Sequence, residues 1–303
     1  MIAIDLGSNT IRFLEFDCQN KQEKGAFEAI VRTAEGMHRT GVVGDAAVER
    51  IVAAIKEARS RLHFADPIAA VATAALRNAK NQEAVLQVLK EKSGIAFKVI
   101  DPQAEGYMTA IAVENCAKAY LDTKTALILD IGGASTELIF KDNKQTVAES
   151  FDLGIVIAAE KYGNHPEKLR RGIQPQLTAI REFLDDMKLV FRRPGSLLAT
   201  AGTPTTLAAL KLGMNHSSYD KAKVNGTLLT IRDIDTYYAK LSGLPEKDRE
   251  RLVGVGRGDL ILAGTLLLKE VLNTTRFGEC YVFDDGLREG VALTGCSGEL
   301  DSF

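Results

Sequence analysis

Two short segments of this 303-residue sequence carry residue types suited to holding a phosphate. Asp5-Leu6-Gly7-Ser8-Asn9-Thr10-Ile11 and Asp130-Ile131-Gly132-Gly133-Ala134-Ser135-Thr136 each end an apolar run on an aspartate, turn through glycine and small polar residues, and return into a second strand-like run. Such a turn exposes successive backbone N–H groups with no bulky side chain in the way, and that concavity takes phosphate oxygens. The strand-end aspartates, Asp5 and Asp130, are the hard oxygen ligands that Mg²⁺ uses when it bridges to the same phosphate. One Asp-x-Gly turn most often only reverses the chain. Two copies about one domain length apart point to a duplicated domain, with a hairpin from each half facing a common cleft.

The elements around these turns read as alternating strands and helices. Strands are expected at Met1 to Ile4 and Ile11 to Phe16, with Gly7, Ser8 and Asn9 as turn chemistry. Val48, Ile51, Val52, Ile55 and Leu62 repeat at helical spacing behind Asp45 as a cap, and Ile68 to Ala72 is a short apolar run. A helix over Gln82 to Lys92 stopping near Gly94 feeds a strand at Phe97 to Ile100. Asp101-Pro102 then forms a helix start, with Glu105 on the first turn. Strands follow at Ala126 to Leu129 and Thr136 to Phe140. The second half adds helices over Gln174 to Leu189, Thr205 to Leu212, Ile231 to Leu241 and Leu260 to Leu272, and strands at Leu197 to Thr200 and Tyr281 to Phe283. This is an α/β pattern with largely covered sheets.

Composition excludes several classes of function. With 38 Lys and Arg against 40 Asp and Glu, the surface is not generally basic, so nucleic acid is not the expected partner and a polyanion needs a local cationic cluster. Lys21, Lys24, Arg39, Arg170, Arg171, Arg192 and Arg193 are the candidates for such a cluster. No apolar stretch reaches the length of a spanning helix and no basic leader opens the sequence, so a cytoplasmic protein with no membrane partner is expected. Cys18, Cys116, Cys280 and Cys296 have no metal-ligand or redox spacing and read as buried free thiols. The four histidines form no ligand set.

Six segments in order give the sequence a resemblance to the exopolyphosphatase and guanosine pentaphosphate phosphohydrolase family, in a short two-domain form. The first two are the glycine turns. The third is Thr73-Ala74-Ala75-Leu76-Arg77-Asn78-Ala79 with Asn81, the fourth Ala201-Gly202-Thr203, the fifth Arg257 to Gly264 and the sixth Asp284 to Gly290. The resemblance implies two ribonuclease-H-like domains of the actin-like ATPase superfold with an interdomain cleft. They are expected at 1–120 and 121–285, with a last helix over about 286–303 returning to the first domain. It implies catalytic roles for Glu105 as the base toward water, Glu137 and Arg77. Phosphate would be bound by Gly7, Ser8, Asn9, Thr10, Gly132, Gly133, Ala134, Ser135, Thr136, Gly202 and Thr203, and Mg²⁺ by Asp5, Asp130 and Glu137. The implied reaction is Mg²⁺-dependent release of orthophosphate from polyphosphate, from guanosine pentaphosphate, or from both, with polyphosphate or guanosine penta- or tetraphosphate as the partner. A homodimer would extend a binding groove.

Each role has a competing reading. Glu105 is also the acid that a helix N-terminus favours, Arg77 could pair with a structural carboxylate, and Arg288 and Glu289 read as an ion pair or cap on the final helix. Three residues depart from the family pattern. Ala134 and Ala201 stand where glycines are usual, which costs stability or reach if the turn needs positive φ or close ligand approach, and the surroundings of Glu105 differ, with Ala104 before it and Tyr107 after. These departures leave open a non-hydrolysing or weakly hydrolysing alarmone binder, and the superfold leaves open a kinase.

Overall fold

The computed structural model describes residues 1–64, 67–163 and 165–302. The chain forms two compact units, Met1–Ala112 with Leu287–Phe303, and Val113–Gly286.

The first unit holds strands β1 (Ile2–Leu6), β2 (Thr10–Asp17), β3 (Gln22–Ile30), β4 (Ile68–Ala72) and β5 (Lys98–Val99), in the sheet order β3-β2-β1-β4-β5. β1, β2 and β3 form an antiparallel meander, while β4 and β5 run parallel to β1. This is the ribonuclease-H-like order. Its helices are α1 (Met37–Thr40), α2 (Asp45–Arg61), α3 (Ala74–Arg77), α4 (Gln82–Ser93) and α5 (Pro102–Ala117), which crosses the unit boundary; a last helix over Leu287–Ser297 closes the unit. Asp45 lies in the first turn of α2 rather than capping it; Gly44 holds the cap position without a side-chain bond.

Because strand side chains alternate between faces, β1 feeds two cores. Ile2, Ile4 and Leu6 pack with Ile51, Ile55, Val85 and Leu89 of α2 and α4, whereas Ala3 packs with Met108 of α5 and Val291 of the last helix. By the same parity Asp5 shares the face of Ala3, the face covered by α5.

The second unit repeats the plan with β6 (Ala126–Ile131), β7 (Thr136–Lys141), β8 (Thr146–Phe151), β9 (Ser196–Thr200), β10 (Thr227–Thr230) and β11 (Glu279–Val282), ordered β10-β11-β9-β6-β7-β8. β9 is parallel to β6 and β11 to β9, with β10 added antiparallel at the edge. The helices are α6 (Ile155–Tyr162), α7 (Pro166–Gly172), α8 (Gln174–Val190), α9 (Gly202–Lys211), α10 (Lys221–Val224), α11 (Ile231–Ser242), α12 (Glu246–Val253) and α13 (Ile261–Thr275). Leu127, Leu129 and Ile131 of β6 pack into a core with Leu177, Ile180 and the buried face of α13, so Asp130 belongs to the opposite face. The last helix of the first unit is α14 (Leu287–Ser297). No helix among the described residues is long and apolar enough to cross a membrane.

Two of the four cysteines are not free. Cys18, just past β2, and Cys296, in the last turn of α14, form a disulfide with Cα atoms 5.4 Å apart. Both partners lie in the first unit, where α14 packs on β1, β2 and β4. The 278-residue separation hides the pairing from sequence spacing. Cys116 and Cys280 are free thiols, and burial pushes the Cys280 thiol up to about 12, which leaves it protonated and unreactive.

Candidate active site

The two glycine turns have the same local construction. Gly7 N–H donates to the Thr10 carbonyl at 3.0 Å and Gly132 N–H to the Ser135 carbonyl at 2.9 Å. Leu6 faces Ile11 across the first hairpin, and Ile131 faces Thr136 across the second. A Cβ at Gly7 or Gly132 would stand 3.2 Å from the carbonyl closing its own turn, a tight approach that explains glycine at the first position of both.

Each turn is braced by backbone from the segment that follows its third strand. The N–H groups of Val31 and Arg32 both donate to the Asn9 carbonyl, at 2.9 and 2.8 Å, and that of Ala34 to the Ser8 carbonyl at 2.8 Å. In the second turn Ile155 and Val156, at the start of α6, donate to the Gly132 and Gly133 carbonyls at 3.0 and 2.8 Å. The turn carbonyls are therefore satisfied from behind. Among the described residues, the N–H groups of Ser8, Asn9, Gly133 and Ala134 donate to no backbone acceptor, although Ser8 and Gly133 are buried. Buried backbone donors need a partner, and an oxyanion in the turn supplies one. Asn9 Oδ1, shielded from solvent, also accepts no hydrogen bond; with the side-chain amide turned over, Nδ2 would take its place as a donor.

Sequence reasoning missed the bracing residues. Arg32 adopts φ 46, which is costly for a side chain larger than glycine, and this lets two successive N–H groups converge on Asn9. Gly154, which precedes α6, approaches the second turn so closely that a Cβ there would stand 2.2 Å from the carbonyl carbon of Ala134. Ala134 itself is not among the residues with positive φ. The cost expected of a methyl at positive φ therefore does not arise at this position.

In the first unit the remaining candidates gather at the ends of the parallel strands, the usual ligand edge of such sheets. Ala72 ends β4 beside Leu6, Thr73 N–H donates to the Leu6 carbonyl at 3.3 Å, and Arg77 follows on α3. Asp101 caps α5, its Oδ1 accepting from Ala104 N–H at 2.8 Å, which sets Glu105 on the first turn with only 7% exposure. Arg77 Nη1 donates to Glu105 Oε2 and to the Ile100 carbonyl, each at 2.9 Å. The sequence-predicted base and phosphate clamp are thus directly paired. Asn81 is structural: its side chain accepts from Val43 N–H at 3.0 Å and donates to the Val43 carbonyl at 2.9 Å.

In the second unit Asp130, Glu137 and Ser150 form one row across β6, β7 and β8. Ser150 Oγ donates to Glu137 Oε1 at 2.8 Å. Among the described residues no group of three or more His, Cys, Asp or Glu is placed to hold a metal. Mg²⁺ commonly uses one or two carboxylates and completes its shell with water and substrate oxygens, and the adjacent Asp130 and Glu137 fit that donor set. Thr136, expected among the phosphate ligands, is fully buried and its hydroxyl donates to the Leu153 carbonyl. That side chain anchors the turn from inside.

The third turn sits at the end of β9. Ala201 caps α9 with φ 77 and ψ 178, a backbone region that is nearly glycine-only. The cost expected for an alanine at this position is therefore present. Thr203 is 2% exposed, and a Cβ on Gly264 of α13 would fall 2.3 Å from its Oγ1, so that side chain is wedged between α9 and α13. Thr200 Oγ1 donates to the Asp285 carbonyl at 2.9 Å, fixing the segment before α14. Arg288 and Glu289 form the buried ion pair expected of them, with Arg288 Nε donating to Glu289 Oε1 at 3.0 Å.

The basic residues proposed for a groove are partly spent. Arg170 pairs with Glu167 and Glu270, and Lys24 with Asp17.

Comparison with known proteins places these motifs in a family context. The model of the Ppx/GppA phosphatase family matches residues 26–297. Exopolyphosphatase 2 of Mycobacterium tuberculosis is 25% identical over 316 residues, covering 96% of this chain and 97% of its own length. The crystal structure of the Ppx/GppA family member of Aquifex aeolicus matches with a TM-score of 0.72 and 27% identity, over 98% of this chain and 97% of that one. An exopolyphosphatase from Cytophaga hutchinsonii shares the fold, with a TM-score of 0.85 at 21% identity over 98% and 97% of the two chains.

Proposed function

From the premise that the chain belongs to the Ppx/GppA phosphatase family, we propose that it releases orthophosphate from the end of a phosphoanhydride chain, with polyphosphate and guanosine pentaphosphate as the two substrates to compare. One observation carries this reading: two equivalent turns, each braced from behind, hold backbone N–H groups that lack backbone acceptors. Phosphoryl transfer asks a protein mainly for position and charge compensation. The turn amides orient the phosphate oxygens. Arg77, released from Glu105, offers a planar fork to the group under attack, and the freed Glu105 carboxylate accepts the proton of the attacking water. In the second unit Asp130 and Glu137 would hold Mg²⁺, which would supply charge neutralisation for the phosphate oxygens when bound; Asp5 is the equivalent strand-end carboxylate of the first unit.

The Arg77–Glu105 pair favours one second reading. A base held by a guanidinium at 2.9 Å is a weakened base, and a protein in which the pair persists on binding would hold a guanosine alarmone without cutting it. Phosphate release from long polyphosphate, short polyphosphate and guanosine pentaphosphate, with and without Mg²⁺, separates the two. The hydrolase reading expects Mg²⁺-dependent release that Glu105→Gln abolishes while ligand binding is kept. Binding with zero release from all three substrates at high enzyme establishes the second reading.

A further inference from the structure

We propose that the second unit carries a separate binding site for a small amphiphilic anion, one with an apolar body and a single oxyanion head. The site lies at the end of the sheet opposite the phosphate turns. There a cavity of about 690 Å³ opens between α8, α13 and the sheet, within the size range of small-molecule sites. Its apolar wall includes Leu127 and Phe140 at the near ends of β6 and β7, Leu177 and Leu184 of α8, Phe191 and Phe277. Leu127 is the second residue of β6, whose far end carries Gly132; Arg192 and Arg193 precede β9, and Phe277 precedes β11. The cavity therefore sits at the starts of the parallel strands, while the turns sit at their ends.

The lining is cationic as well as apolar. Its two carboxylates are already neutralised, Asp185 by Lys188 and Glu270 by Arg170. Arg181, Arg192, Arg193 and Arg276 also line it; Arg276 adds to Lys188 in holding the Asp185 carboxyl below the usual carboxylate range, which leaves the lining with more cations than carboxylates. Arg276 is further marked by its backbone, φ 60 at the end of α13, a left-handed conformation that a long side chain adopts at a cost. The α13 dipole alone would favour one cation at that end; it does not account for the other three on α8 and the following loop. An apolar body in the cavity with its head among the guanidiniums satisfies both features.

Calorimetric titration of the full chain with decane-1-sulfonate, below its micelle concentration, tests this. The head is inert to phosphatase chemistry, so binding is read apart from turnover. Saturable binding of one ligand per chain is expected, with sulfate alone and decyl maltoside alone each at least about tenfold weaker. The double variant R181S/R276N should weaken decane-1-sulfonate by about tenfold and leave decyl maltoside unchanged, since Asn tolerates the left-handed backbone. Leu184→Trp should block the cavity. The proposal is overturned if binding is not saturable, if sulfate alone binds as tightly, or if affinity survives unchanged in both variants.

Discussion

Replacing Ala201 by glycine should stabilise the protein. Ala201 holds φ 77 and ψ 178 at the cap of α9, and a non-glycine residue in this region costs about 1–3 kcal/mol. Glycine removes that cost but adds about 0.4–1 kcal/mol of unfolded-chain entropy. The net expectation is a gain centred on about 1.3 kcal/mol, which for a unit of this size raises Tm by about 3–5 °C. The neighbouring position gives the control. Gly202 has φ outside the positive region, and a Cβ there meets nothing within 4 Å, so Gly202→Ala should gain the unfolded-chain term alone, about 0.4–1 kcal/mol. Differential scanning calorimetry of the two variants beside the parent measures both. A lower Tm for either Ala201→Gly or Gly202→Ala would refute the reasoning.

Two further substitutions test the scaffold around the site. Gly154→Ala places a methyl against rigid backbone of the second turn and should cost at least about 2 kcal/mol, with a loss of phosphate release out of proportion to the fall in Tm; unchanged Tm and activity would remove Gly154 from the account. Breaking the Cys18–Cys296 disulfide, by reductant or by paired serine substitutions, should cost about 4–6 kcal/mol because it ties positions 278 residues apart. A Tm indifferent to reductant would show that α14 is held by its packing alone.

Much of the fold was legible wherever apolar periodicity was strong and bounded by turn residues. The run Ile68–Ala72 is β4 as read, and the helix expected from Gln82 ends on Gly94 in the left-handed conformation. β3 and β8 escaped because they are outer strands of their meanders. Gln22–Ile30 exposes Gln22, Glu23 and Lys24, and Thr146–Phe151 leaves Glu149 in solvent, so neither presents an apolar run. At the site, the shared pattern of the two turns foretold their common hydrogen bonds because turn chemistry is local. What braces them is not local. Gly154 matters only through its approach to Ala134, and Arg32 through a backbone angle that its residue type does not announce. The contrast between Ala134 and Ala201 makes the same point: both replace a glycine, and only the backbone angle shows that one is strained and the other is not.

The central claim is that both turns offer their backbone N–H groups to phosphate oxygens. Amide chemical-shift titration of isotope-labelled protein with tripolyphosphate, using the Glu105→Gln variant to prevent turnover, measures this at single residues. The account predicts that the amides of Ser8 and Asn9 in the first turn, and of Gly133 and Ala134 in the second, move saturably on titration. Amides of either turn that stay in place while ligand binds elsewhere would contradict it.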